Sequence, residues 1–131
     1  MNIKEKYDEF LEFRKEIVKQ SKRVQKVRHE AYPEAYQLPD FDFHENNIDI
    51  RNGQIFNINT MDRDNEEVTF FFCLDDFLKT DQELIDECEK EKIDDEKLKE
   101  VNRLYKIRMT NERNLEIFNK LKKELIKNNI L

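Results

Sequence analysis

Ile48-Asp49-Ile50-Arg51-Asn52-Gly53-Gln54-Ile55-Phe56-Asn57-Ile58 is the stretch that decides the fold class. Asn-Gly supplies the two positive-φ residues of a type I′ turn, and apolar residues alternate with others on both sides of it. The stretch therefore predicts a β-hairpin with strands at 48–51 and 54–58. Beyond it, the polar turn Asp62-Arg63-Asp64-Asn65 leads into a third apolar run, Val68 to Leu74. Three antiparallel strands in a meander over residues 47–74 are the economical arrangement. So small a sheet needs a helix across one face to be stable.

Upstream, residues 2–31 read as one long helix. Phe10, Phe13, Ile17, Gln20, Val24, Val27 and Ala31 advance by alternating steps of three and four, an a/d seam for packing against another helix. Pro33 disfavours helix at Tyr32 and sets the end. The connector 32–46 holds both prolines and alternates acidic with aromatic residues, which favours extended backbone. Its Tyr32, Tyr36, Phe41 and Phe43 suit interface anchors, although such residues more often lid the end of a small core.

Downstream, Thr80-Asp81-Gln82-Glu83 is a capping box that opens a helix over residues 81–92. Asp94-Asp95-Glu96 suit the start of another, over 94–128. There Leu98, Val101, Leu104, Tyr105, Ile107, Leu115, Phe118, Leu121, Leu125 and Ile126 recur at helical spacing. The polar stretch 108–114 is either the mid-point of one long helix or, with Thr110 as a cap, the start of a new one, and one long helix is the favoured reading. The expected architecture is α+β and a single domain over 1–131. It has two long antiparallel helices plus a short helix, with the three-stranded antiparallel β-meander between the first and second helices.

Composition narrows the function classes. Of 131 residues, 37% are hydrophobic and 41% charged, so the core must be narrow and the surface large. One Gly and two Pro exclude a loop-dominated or β-sandwich design. No apolar run approaches the ~18 residues that a membrane span needs. The segment Met1-Asn2-Ile3-Lys4-Glu5-Lys6 has no apolar stretch of the secretory kind. Cys73 and Cys88 are then expected to be reduced. These features point to a soluble, cytoplasmic protein with no membrane partner.

Charge is segregated along the chain. Residues 14–29 net +6, residues 30–100 carry 22 acidic against 7 basic groups, and residues 101–131 net +5. Such a distribution steers partners and selects their sign. The basic stripe Arg14, Lys15, Lys19, Lys22, Arg23, Lys26 and Arg28 has helical spacing suited to phosphates. Yet the chain is acidic overall and the stripe lacks aromatic platforms, so direct nucleic-acid binding is not expected. The alternative role of these cations is to face the acidic helix within the molecule.

Catalytic chemistry finds little support. A single Gly cannot build a phosphate-binding loop, and no cofactor is expected. The lone Ser21 sits inside a helix rather than a nucleophile elbow. Arg23 and His29 resemble the Arg-x(4–6)-His motif of HEPN-type ribonucleases, which implies RNA cleavage as a minor alternative. His29, His44, Cys73 and Cys88 lack the paired spacing of zinc sites. Asp62, Asp64, Glu66 and Glu67 lack the spacing of a calcium loop. No metal is expected.

The Asn52-Gly53 hairpin, the Phe-rich strand running into Asp75-Asp76-Phe77-Leu78 and the capped start Thr80-Asp81-Gln82-Glu83 resemble small acidic phage-encoded early proteins of the anti-CRISPR and anti-defence type. The resemblance covers residues 47–90 and implies a non-enzymatic protein that binds a host machine. Regular carboxylates on a helix can occupy a basic groove built for a phosphate backbone. The candidate partner-binding set is Asp75, Asp76, Asp81, Glu83, Asp86, Glu87 and Glu91, directed at a host protein with a basic groove. A solvated acidic face is the plainer reading. A coiled-coil-like homodimer through the first-helix seam, serving as a scaffold, is the other alternative.

Overall fold

Residues 2–128 are described by the computed structural model, and they form an α+β fold. The first helix, α1 (Ile3–Ala31), opens at Asn2, whose side-chain oxygen accepts the backbone N–H of Glu5 at 2.8 Å. It closes where Tyr32, already non-helical ahead of Pro33, donates its N–H to the Arg28 carbonyl. Three strands follow a short 3₁₀ turn at Glu45–Asn47: β1 (Ile48–Arg51), β2 (Ile55–Met61) and β3 (Glu67–Cys73). They form one antiparallel sheet in the order β1-β2-β3, the expected meander.

Asn52 and Gly53 take φ values of 54° and 64°, as the I′ hairpin requires. At the second turn the Asp62 carboxylate accepts the backbone N–H groups of Asp64 and Glu66, both at 2.9 Å. Asn65 completes that turn at φ 62°. β2 extends past Ile58 because β3 pairs with it as far as Met61 opposite Glu67.

Two helical boundaries differ from the sequence expectation. Leu74 does not end the strand but starts a short helix, α2 (Leu74–Leu78), which the periodicity did not reveal. The Asp76 carboxylate, three residues on, accepts the Cys73 N–H at 2.8 Å and closes that first turn. The capping box forms as read: Glu83 N–H donates to Thr80 Oγ1 at 3.2 Å, and Thr80 N–H donates to Glu83 Oε1 at 3.3 Å. The helix it opens, α3 (Asp81–Lys127), continues for 47 residues through both the expected break near Asp94 and the polar stretch 108–114. No Gly or Pro lies between its ends. Ion pairs such as Arg108–Glu112 at 3.2 Å support the polar stretch at i,i+4 spacing.

By compactness the chain divides into two units, Met1–Lys90 and Glu91–Leu131. The core of the first joins Ile17, Val18 and Val24 of α1 with Phe43 of the connector, Ile48, Phe56, Ile58 and Phe72 of the sheet, and Leu84 of α3. The seam of α1 thus closes on the sheet, because Ile17 and Val24 already fill the layer above Phe56 and Phe72. Phe10 and Phe13 stay 44% and 46% exposed. In the second unit, every described residue from Glu96 onward is exposed.

One core position is chemically mismatched. Ser21 is fully buried in α1 and its hydroxyl has no hydrogen-bond partner. Ser21→Ala is expected to stabilise the fold by ~1 kcal/mol, because the desolvated hydroxyl gains nothing in return. A urea midpoint raised at unchanged slope checks this.

Candidate interaction surface

Three arginines of the basic stripe on α1, Arg14, Arg23 and Arg28, turn to the chain's own acceptors, whereas Lys15, Lys19, Lys22 and Lys26 are exposed. Arg14 donates from its Nε to the Glu45 carbonyl at 2.8 Å and from Nη2 to Ile48 O at 3.3 Å, which ties the 3₁₀ turn to the helix. Arg23 donates to the backbone oxygens of Phe77 and Lys79 and pairs with Asp81. Arg28 meets Asp76 at 2.8 Å, with both side chains less than 15% exposed. Lys79 lies 2.7 Å from Glu87 and 3.7 Å from Asp76. Its hydrogen bond to Glu87 lifts the ammonium pKa above the ordinary lysine value, against a smaller opposing effect of burial. Stability from that contact is complete below the ordinary lysine pKa and is lost only as pH rises through the higher folded value.

This network assigns the sequence-derived acidic set one residue at a time. Asp76 is a largely buried structural counter-ion to Arg28. Asp81 holds Arg23, and Glu83 belongs to the capping box. Glu87 holds Lys79, and Asp86 accepts a hydrogen bond from Gln82 at 2.8 Å. All of the seven except Asp76 are exposed. The set is therefore not one uniform face. Three of the seven, Asp76, Asp81 and Glu87, fasten the α1–α2–α3 junction, a role that charge counting along a sequence does not distinguish from display.

The other candidate groups are similarly engaged. His29 Nδ1 lies 2.8 Å from the Tyr36 carbonyl, whereas Arg23 belongs to the Asp81 network. The two residues of the Arg-x(4–6)-His pattern thus sit in separate networks. His44 accepts the Asn46 N–H at the 3₁₀ turn, Cys73 is exposed at the start of α2, and Cys88 is buried. Among the described residues no three His, Cys, Asp or Glu side chains converge as metal ligands. No described helix is long and apolar enough to cross a membrane. In the connector, Tyr32 and Phe43 are buried, Phe43 as a member of the core, while Phe41 is exposed.

Among the described residues, large exposed hydrophobics lie at the start of α1, at Phe71 and Leu78, and in greatest number along α3. Leu98, Val101, Leu104, Leu115, Phe118, Leu121 and Leu125 are all exposed. Clusters of exposed apolar side chains of this size mark interaction surfaces, and here Arg108 and Asn111 separate two of them. The chain matches no protein-family model, no curated protein and no solved structure.

Proposed function

We propose that the protein is a non-enzymatic binding protein whose working surface is the apolar side of α3, where another helical polypeptide docks. The observation that carries this reading is the exposed row from Leu98 to Leu125. In a chain with only 37% hydrophobic residues, so many large ones outside a core are accounted for when a partner covers them. Covering apolar surface contributes ~25 cal/mol per Å². A 3.6-residue period suits a helix as the covering element.

The charge distribution supports a narrower reading: inhibition of a host nucleic-acid-handling complex, in the manner of the anti-defence proteins that the sequence resembles. Asp75 and Asp86 are exposed beside the start of α3 and would steer the protein toward a basic groove.

Pull-downs from nuclease-treated source-cell lysate separate the two surfaces. Three full-length baits are compared: wild type, Val101→Glu/Leu104→Glu/Phe118→Glu, and Asp75→Lys/Asp86→Lys/Glu91→Lys. All substituted residues are exposed, so folding should be retained. A partner held by the wild type and the charge variant, and lost by the apolar-row variant, is the expected result. Loss by the charge variant alone would move the working surface to the acidic positions. Three empty baits would remove both surfaces as sites for a foreign partner.

A further inference from the structure

We infer that the helix covering this face is α3 of a second copy of the same chain, running antiparallel. The inference rests on α3 being the working surface and identifies its partner. Within the second unit, Val101, Leu104, Arg108, Asn111, Leu115 and Phe118 follow one another at steps of three and four, a heptad seam on a continuous helix. A two-fold antiparallel alignment centred between residues 109 and 110 sets Val101 opposite Phe118 and Leu104 opposite Leu115, each twice. One step outward the seam positions are Lys97 and Lys122, opposite each other, with Leu98 and Leu121 beside them.

The seam's polar members select that register. In this alignment Arg108 lies opposite Asn111, polar against polar. Sliding one helix by a heptad would place Arg108 opposite Phe118 and Asn111 opposite Leu115, leaving polar groups against apolar ones. Single polar positions of this kind fix register in helical pairs.

Charge selects the direction. The alignment sets residues 91–100, with five acidic and three basic side chains, against residues 119–128, with four basic and one acidic. A parallel pair would set the basic end against itself and the acidic end against itself, which is repulsive. The exposed apolar start of α1 offers no such complement, since residues 1–13 net −2 and would meet a like-charged copy.

Sedimentation equilibrium of the full chain is expected to give twice the 16.1 kDa mass of one chain. Leu104→Glu is expected to weaken self-association roughly 100-fold. Mixing it with a Leu115→Lys chain is expected to restore the pair as a heterodimer. Direction is read by cross-linking in a Cys73→Ser background, which removes the exposed native thiol. Val101→Cys chains mixed with Phe118→Cys chains should form interchain disulfides, and Val101→Cys chains alone should not. Cross-linking of Val101→Cys chains alone would overturn the antiparallel arrangement. A monomer at every concentration would overturn the second-copy inference. If that monomer still captured a different partner through Val101, Leu104 and Phe118, the proposed working surface would stand. Loss of both would remove both.

Discussion

Phe56→Ala is expected to lower the free energy of unfolding by about 4 kcal/mol, within the range for truncating a fully buried aromatic. Phe56 is fully buried in the central strand, paired with Ile50 on one side and Phe72 on the other. Its ring lies 5.3 Å from that of Phe77 and 6.4 Å, edge-on, from that of Phe13. It therefore links sheet, α1 and α2, and its removal opens a cavity that a rigid strand cannot close. The magnitude is a large share of the ~5–15 kcal/mol by which domains are typically stable. Urea unfolding followed by circular dichroism checks it, and a loss below about 1.5 kcal/mol would mean that the site collapses around the missing ring. Phe56→Leu, which keeps most of the volume, should recover much of the loss.

Breaking the Arg28–Asp76 pair from one side is expected to destabilise the first unit by about 3 kcal/mol. In Arg28→Met the Asp76 carboxylate keeps the Cys73 N–H at 2.8 Å and the Lys79 ammonium at 3.7 Å. These partners compensate only in part, because the carboxylate sits among side chains that exclude water. The variant also removes the guanidinium that lies 5.5 Å from the Tyr36 ring centre. The double variant Arg28→Met/Asp76→Leu should fall well short of the sum of the two single losses, since neither charge is then left buried alone. Strict additivity in that cycle would mean that the pair is not coupled. Asp75→Asn, one residue away but exposed, is the control and should change stability little.

That contrast between neighbouring aspartates explains how far the candidate surface was legible in the sequence. Charge counting located a dense acidic segment but could not separate Asp75 from Asp76, because adjacent helical residues point in different directions and only one meets α1. The same holds for Glu83 and Glu87, one closing a cap and the other holding Lys79. The apolar positions of α3 were visible as a period of helical spacing. Their exposure was not, since periodicity reports which residues share a face and not what covers it.

Local chemistry by itself determined the elements. Asn52-Gly53 dictated the hairpin, Asn2 and Thr80 supplied helix starts, and Pro33 ended the first helix, because each acts through φ, ψ or a hydrogen bond within a few residues. Continuity of α3 across its polar middle was also local in cause, requiring only the absence of Gly and Pro and the presence of i,i+4 pairs. The tertiary structure alone decided that the seam of α1 closes on a sheet, that Arg23 and Arg28 consume part of the acidic set, and that the row from Leu98 to Leu125 is left outward. Those outcomes depend on which surfaces distant parts of the chain bring together. Burial and ion pairing are properties of such meetings, and the spacing of residues along one helix does not contain them.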